Sequence, residues 1–262
     1  MNLRESRHSA HRGRVSTGSG MSELAEESRR KIAMTVRPAA VLWDMDGTLL
    51  DSEKLWDVAV RELAREHGRE MTAAIRHALI GTSVENSLRI MFHGLGIEET
   101  PAAVRASREF LDRRVVELMS GPIPWRPGAK DALALVRSAG LPTALVTNTK
   151  RDFTEYGLDT LGREYFDVTV CGDEVPQGKP APDIYLRAAE LLGQDPEHCV
   201  AVEDSPTGAA AAQAAGCALL VVPCEIPVPD APGRLFRDTL VGLELADLEA
   251  ALRRKPPFPH SI

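Results

Sequence analysis

Two aspartates, Asp44 and Asp46, follow directly after an apolar run in the stretch "VLWDMDGTLLDSE". An unpaired carboxylate is costly in a protein core, and two close together are costlier still. Either a strand ends here and the acids face water, or the two carboxylates belong to a site. If they form a site, the chain must also supply groups that balance their negative charge.

Other polar residues also follow apolar runs: Thr147 and Asn148 come after one run, and Glu203 and Asp204 after another. If the runs are parallel strands, their carboxyl ends meet at one edge of the sheet and gather these side chains there. Several carboxylates in one place repel one another unless a cation intervenes, and a hard ion such as Mg²⁺ suits oxygen ligands. Lys179, in the loop "QGKPAPD", offers a compact positive charge for an anionic group.

The elements that must position these residues alternate between short apolar runs and helical periods from Pro38 onward. Five runs are predicted to be buried strands: AAVLW, PTALV, DVTV, CVAV and ALLVV. Helical periods lie between them, at about 129–139, 151–161, 182–192 and 206–215. This alternation predicts an α/β fold, a Rossmann-like parallel sheet core flanked by helices.

One segment, residues 54–123, contains helical periods and no strand-like run. Its predicted helices cover about 54–66, 72–79, 84–92 and 102–119. We therefore predict an α/β core of residues 38–53 and 124–255, with 54–123 inserted as an all-helical cap. The cap begins just beyond the first strand, at the edge where open α/β sheets bind ligands, so it is placed to act as a lid.

Composition argues against several classes of partner. The net charge is −7 and no basic tract occurs after the N-terminal extension, so no nucleic-acid partner is expected. No apolar stretch approaches the roughly 20 residues that span a bilayer, so no membrane partner is expected. The four cysteines show no metal-ligand spacing, which favours reduced thiols and a cytoplasmic location.

The N-terminal extension, residues 1–37, is predicted to be disordered. Its first 20 residues are rich in Arg, Ser and Gly and nearly lack large apolar side chains, so they cannot bury enough surface to fold alone. Translation from Met21 or Met34 is an alternative explanation of the same stretch.

Four motifs, "DMDGTLLDSE", "LVTNT", "GKPAPDIY" and "VEDSPTG", occur in this order over about residues 39–222. In them the chain resembles the haloacid dehalogenase-like (HAD) superfamily, in its phosphatase and beta-phosphoglucomutase branch, and residues 54–123 resemble that superfamily's type 1 cap. The resemblance implies a Mg²⁺-dependent phosphatase. Its substrate would be a small phosphorylated metabolite, such as a sugar or polyol phosphate, and the protein would be a monomer or weak homodimer.

The resemblance also implies roles for the matching acids. Asp44 would be the nucleophile that becomes an aspartyl-phosphate, and Asp46 would protonate the leaving oxygen and then activate water. Mg²⁺ would be bound by Asp44, the backbone carbonyl of Asp46 and Asp204, with help from Glu203. Either Asp204 or Ser205 is also expected to cap the helix that begins at about residue 206.

Phosphate and substrate contacts are implied for a second set of residues. Thr147 and the Asn148 backbone would donate to phosphoryl oxygens, and Lys179 would neutralise charge on the phosphate and the nucleophile. Substrate contacts near the cap are expected from Ser52, Glu53, Gly81, Thr82 and Ser83, with Trp56 and Arg89 as further candidates for the cleft face. Trp125 is expected to pack at the junction of cap and core.

Alternative interpretations remain. Asp46 favours phosphoryl transfer over dehalogenation, but a phosphomutase shares all four motifs. Where the beta-phosphoglucomutases carry a histidine shortly after the first motif, this chain has Trp56, which weakens that alternative. A non-catalytic HAD-like binding protein is a third possibility. The local alternatives are an Asp that forms a turn, Thr147 and Asn148 as caps of a helix, and Lys179 as a solvated loop residue.

Overall fold

The computed structural model describes residues 37–79 and 84–255 of the chain. Six parallel strands form one sheet in the order β3-β2-β1-β4-β5-β6. The strands are β1 (Ala40–Trp43), β2 (Thr143–Thr147), β3 (Val168–Cys171), β4 (Cys199–Glu203), β5 (Ala218–Val221) and β6 (Arg234–Phe236). The predicted Rossmann-like parallel sheet is confirmed, and each of the five predicted strands is present.

Helices occupy the rest of the described chain. Five of them lie between β1 and β2 in sequence, and the first four are α1 (Glu53–Glu66), α2 (Ala73–Leu79), α3 (Val84–Leu95) and α4 (Pro101–Met119). The others are α5 (Ala129–Ser138), α6 (Arg151–Leu161), α7 (Asp183–Leu191), α8 (Pro206–Ala214) and α9 (Leu245–Arg254). Short 3₁₀ turns occur at Arg163–Tyr165, Gly172–Glu174 and Pro196–His198. No helix within the described ranges is long and apolar enough to cross a membrane.

Three features differ from the sequence-based prediction. β6 was not predicted, because its three residues are only half-buried and too few to show a period. α9 was not predicted either, and Arg253 and Arg254 form its last turn. α3, predicted at about 84–92, continues through Gly94 to Leu95. A Cβ on Gly94 would lie 2.9 Å from the Ile75 side chain, so this glycine permits close packing of α2 and α3.

The central strands are apolar because both faces of the sheet are covered. All four residues of β1 are fully buried. Val41 and Trp43 pack in the hydrophobic cluster on one face, while Ala40 and Leu42 pack in the cluster on the other. This alternation follows from the two-residue repeat of a strand, and double coverage explains why the run shows no polar position.

The strand order brings three chain segments to one edge of the sheet. β1 lies between β2 and β4, and Trp43 is in register with Leu145 of β2 and Val202 of β4. The residues that follow these strands therefore emerge side by side. Because the order of strands reverses at β1, this edge is the position at which such sheets bind ligands.

Two backbone hydrogen bonds join the residues just before the four helices α1–α4 to the residues just after them. The Asp51 amide donates to the Pro124 carbonyl at 2.8 Å, and the Arg126 amide donates to the Leu49 carbonyl at 2.8 Å. Trp125 is half-buried between these bonds and packs against the core. The division into cap and core, with Trp125 at a hinge, remains a prediction that this pairing supports.

Candidate active site

Lys179 lies at the centre of the side chains gathered at the strand ends. Its Nζ donates to Asp44 Oδ1 at 2.6 Å, to Glu203 Oε1 at 2.6 Å and to the Val146 carbonyl at 2.9 Å. These three bonds use all three donors of the ammonium group. The side chain is only 4% exposed, which excludes the alternative of a solvated loop lysine.

The charges at this site are not balanced by Lys179 alone. Burial raises the pKa of Asp44 to about 7; Lys179 opposes this rise, and the nearby carboxylates of Glu203 and Asp46 add to it. Burial, together with Asp44 and Glu203, also raises the pKa of Asp204 well above its ordinary value. Burial alone would lower the pKa of Lys179, but the two carboxylates that it contacts raise it. The cluster thus has an excess of negative charge that a further cation would relieve.

The residues present fit an oxygen-bound divalent cation. Asp44, Glu203 and Asp204 each offer a carboxylate oxygen, and these oxygens lie within 4.8 Å of one another. Asp44 Oδ2 is buried and has no hydrogen-bond partner among the described residues. Asp204 approaches so closely that a Cβ on Gly47 would overlap its carboxylate. Closely spaced carboxylates with an unsatisfied buried oxygen are the donor set that Mg²⁺ uses.

Asp204 is available for this cluster because its neighbour caps the following helix. Ser205 is the N-cap of α8, and its Oγ accepts from the Gly208 amide at 3.1 Å. The expected cap is thus supplied by Ser205. Thr147 and Asn148 do not cap α6 either, since Lys150 is the N-cap residue of that helix.

Glu203 Oε1 is held in place by two donors, and Ser205 Oγ donates to its Oε2 at 3.4 Å. Its Oε1 accepts from Lys179 and also from the Tyr185 hydroxyl, each at 2.6 Å, and its side chain is fully buried. Tyr185 is fully buried as well, and Lys179 Nζ lies 5.3 Å from the centre of its ring. Sequence reasoning did not single out Tyr185, because a tyrosine on an apolar helix face looks like ordinary core.

Asp46 is held by three hydroxyl groups. Ser52 Oγ donates to its Oδ1 at 2.6 Å, while Thr147 Oγ1 and Thr149 Oγ1 donate to its Oδ2 at 2.9 and 2.8 Å. Ser52 is fully buried, so in this structure it supports Asp46 and does not face the cavity as a substrate contact. Thr149 was missed by sequence reasoning, although its position two residues after Thr147 could have indicated it.

Asn148 fixes the loop that carries Lys179. Its Oδ1 accepts from the Lys179 amide at 2.8 Å, and its Nδ2 donates to the Lys179 carbonyl at 3.1 Å. Gly172 and Gly178 leave room for it, since a Cβ on either would crowd Asn148. The structure therefore gives the Asn148 side chain a positioning contact that the sequence had not indicated.

A cavity of about 550 Å³ opens over these groups. From the strand ends it is lined by Asp44, Asp46, Thr147, Asn148, Thr149, Lys150, Lys179 and Asp204. From the segment between β1 and β2 it is lined by Trp56, Val84, Glu85, Arg108, Asp112 and Met119. Its volume suits a small metabolite.

Of the candidates in the helical segment, Trp56 lines the cavity as expected. Arg89 does not; it lines a separate cavity of about 350 Å³ and donates to Asn86. Glu53 begins α1, and its side chain lies outside what the structure describes, as do Gly81, Thr82 and Ser83. Arg108 and Asp112 were missed, because charged residues on a helix look like a solvated face.

The sheet thus places acidic residues at the ends of β1 and β4, with Lys179 between them. Residues 38–216 match the family model of haloacid dehalogenase-like hydrolases, which is more than half of the chain. The chain belongs to this family. The resemblance of its four motifs is thereby confirmed.

Relatives and solved structures agree with this assignment. The chain is 37% identical over 182 residues to the phosphorylated carbohydrates phosphatase of Thermotoga maritima, covering 68% of this chain and 81% of the relative. It is 32% identical over 234 residues to hexitol phosphatase A of Escherichia coli K12, covering 85% and 97%. The structure of CbbY from Rhodobacter sphaeroides in complex with xylulose-(1,5)bisphosphate superposes with a TM-score of 0.68 at 31% identity, covering 80% and 99%.

The tight fit of α8 against Glu203 gives a prediction. A Cβ on Gly208 would overlap the Glu203 carboxylate, which Lys179 and Tyr185 hold in place. Alanine favours a helix over glycine by about 1 kcal/mol, yet we expect Gly208→Ala to lower the free energy of unfolding by about 1–3 kcal/mol through overpacking. Urea unfolding measures this change.

The control for this prediction is Gly121→Ala, where the nearest atom to an added Cβ is the Leu118 carbonyl oxygen at 3.8 Å. This variant should stay within about 0.5 kcal/mol of the parent. A Gly208→Ala protein as stable as the parent would show that Glu203 is not confined in this way.

Proposed function

We propose that the protein is a Mg²⁺-dependent phosphatase that hydrolyses a small sugar or polyol phosphate through an aspartyl-phosphate on Asp44. The observation that carries the proposal is the environment of the Asp44 carboxylate. Lys179 binds one of its oxygens, the other oxygen is buried and unpartnered among the described residues, and the carboxylate forms one cluster with those of Glu203 and Asp204. Relatives named as phosphatases of phosphorylated carbohydrates and of hexitols support the substrate class.

In the first step, a carboxylate oxygen of Asp44 attacks phosphorus while the ester bond to the leaving oxygen breaks. Asp46 gives its proton to that oxygen, so the alcohol leaves in neutral form. Ser52, Thr147 and Thr149 fix the Asp46 carboxyl group for this transfer. Lys179 stays beside Asp44 and offsets the charge of the phosphoryl oxygens.

In the second step, water attacks phosphorus and the bond to Asp44 breaks. Asp46 accepts the proton of that water, so inorganic phosphate leaves and both aspartates return to their starting state. Asp44, Asp204 and the Asp46 carbonyl would hold Mg²⁺, which when bound would supply positive charge to the transferred group. Glu203 lies within the same cluster and fixes Lys179 through Oε1.

Hydrolysis is favoured over a mutase reaction by the residue at position 56. Trp56 lines the cavity, where the beta-phosphoglucomutases carry a histidine. An indole N–H donates a hydrogen bond but cannot accept a proton, whereas an imidazole can. Trp56 therefore offers no base to activate a second sugar hydroxyl as phosphoryl acceptor.

Replacing the nucleophile tests the proposal directly. Asp44→Asn should lower turnover of a panel of phosphate esters by about a thousandfold or more, because the amide is a poor nucleophile. The thermal unfolding midpoint should stay the same or rise, since the variant removes one of several carboxylates that repel one another. Asp131→Asn, on the exposed surface of α5, is the control and should retain activity. Substantial turnover by Asp44→Asn would contradict covalent catalysis.

Metal removal gives a further prediction. A chelator should abolish turnover, and added Mg²⁺ should restore it, because the strand-end carboxylates need a counter-charge. Mg²⁺ should also raise the thermal midpoint of the wild type by binding the folded state. In Asp204→Asn this rise should be lost at the same Mg²⁺ concentration, while Asp131→Asn should keep it. An equal rise in Asp204→Asn would place the metal elsewhere.

A further inference from the structure

A charged cluster on the helical side of the cavity has no part in the chemistry described so far. Arg108 and Asp112 lie one turn apart on α4 and both line the cavity. The Arg108 Nε donates to both carboxylate oxygens of Asp112 at 3.0 Å, and its Nη1 donates to Glu85 Oε1 at 2.6 Å. The cluster is therefore pre-formed before any ligand binds.

The charge of this cluster is net negative, since one guanidinium lies between two carboxylates. The hydrogen bond that Arg108 donates to Glu85, followed by the interactions with Asp112, raises the pKa of Arg108 although burial opposes the rise. This net negative charge would repel a second phosphate or a carboxylate on the substrate. On the core side the exposed Lys150 lines the same cavity and directly follows Thr149, whose hydroxyl donates to Asp46.

The cluster nevertheless keeps hydrogen-bonding capacity for a neutral ligand. The bonds recorded for Arg108 within the described ranges use Nε and Nη1, which leaves Nη2 with two N–H donors. The Asp112 side chain is 42% exposed, so its oxygens can accept from further hydroxyl groups. Trp56 and Met119 line the cavity from the same helical segment and offer apolar surface to C–H groups.

We propose that Arg108 and Asp112, with Glu85 fixing the guanidinium, bind the hydroxyl groups of the substrate and so determine its class. The proposal rests on the proposed function, because the phosphorus must lie at Asp44 for the leaving group to reach this cluster. The substrate class is then a monophosphate whose leaving group is a neutral polyol or sugar. Esters with a second phosphate or a carboxylate are disfavoured.

The test compares two substrates that share the phosphoryl step. A hexitol 6-phosphate has hydroxyl groups for the cluster, whereas p-nitrophenyl phosphate has none on its leaving group. Arg108→Met and Asp112→Asn should lower the ratio of kcat/KM for the hexitol ester to that for the aryl ester by about 10- to 100-fold, the scale of one or two lost charged hydrogen bonds. The KM for the hexitol ester should account for most of the change.

The matched control is Arg105→Met, on the same helix but lining only the other cavity, and it should leave the ratio unchanged. Asp112→Asn should also raise kcat/KM for a hexose bisphosphate relative to the monophosphate, since it removes a negative charge. The proposal is overturned if Arg108→Met and Asp112→Asn affect both substrates equally, or if Arg105→Met has the same effect. A wild type that hydrolyses neither ester with Mg²⁺ present would overturn the proposed function itself.

Discussion

At the ends of β1 and β4, several carboxylates lie around one buried ammonium group, that of Lys179. The positions of the surrounding residues follow from this imbalance of charge. Lys179 uses its three donors on Asp44, Glu203 and the Val146 carbonyl. Burial of unbalanced charge is expensive, so the remaining negative charge has to be met by a bound cation or by protonation. The pKa values of Asp44 and Asp204 are raised because both carboxylates are buried beside other carboxylates.

Supporting residues hold the charged groups where the constraint requires them. Asn148 fixes the loop of Lys179, and Tyr185 fixes Glu203 from within the core. Gly47 and Gly208 allow Asp204 and Glu203 to approach the chain more closely than any side chain would permit. The helical segment adds a second group of charges to the same cavity, in which Arg108 lies between the carboxylates of Glu85 and Asp112.

Much of this arrangement could be predicted from the sequence, because position after a strand is a local signal. Asp44, Thr147 and Asp204 each follow an apolar run, and parallel pairing brings such ends together whatever their separation in sequence. What could not be predicted depends on which faces meet in three dimensions. From the sequence, Tyr185 looks like a core residue and Arg108 like a solvated residue on a helix surface. Only the packing shows that Tyr185 contacts Glu203 and that Arg108 lines the cavity.

Ser52 is a residue whose expected role was changed by tertiary packing. Its place beside the first motif suggested a substrate contact, whereas the turn after β1 buries it against Asp46. The short strand β6 was missed because three half-buried residues are too few to show a period, and its pairing with β5 appears only in the fold. Helix α9 has apolar residues at helical spacing, so the sequence did carry a signal for it. Local patterns thus predicted the acids and their strands, and tertiary packing decided the residues that support them.

The stereochemical course of phosphoryl transfer tests the role of Asp44 most directly. A phosphorothioate ester made chiral at phosphorus with two oxygen isotopes would be hydrolysed with Mg²⁺ in water labelled with the third isotope, and the configuration of the released inorganic thiophosphate determined. Two successive in-line displacements, by Asp44 and then by water, each invert phosphorus, so net retention is expected. Net inversion would show a single direct attack by water and would contradict an aspartyl-phosphate on Asp44.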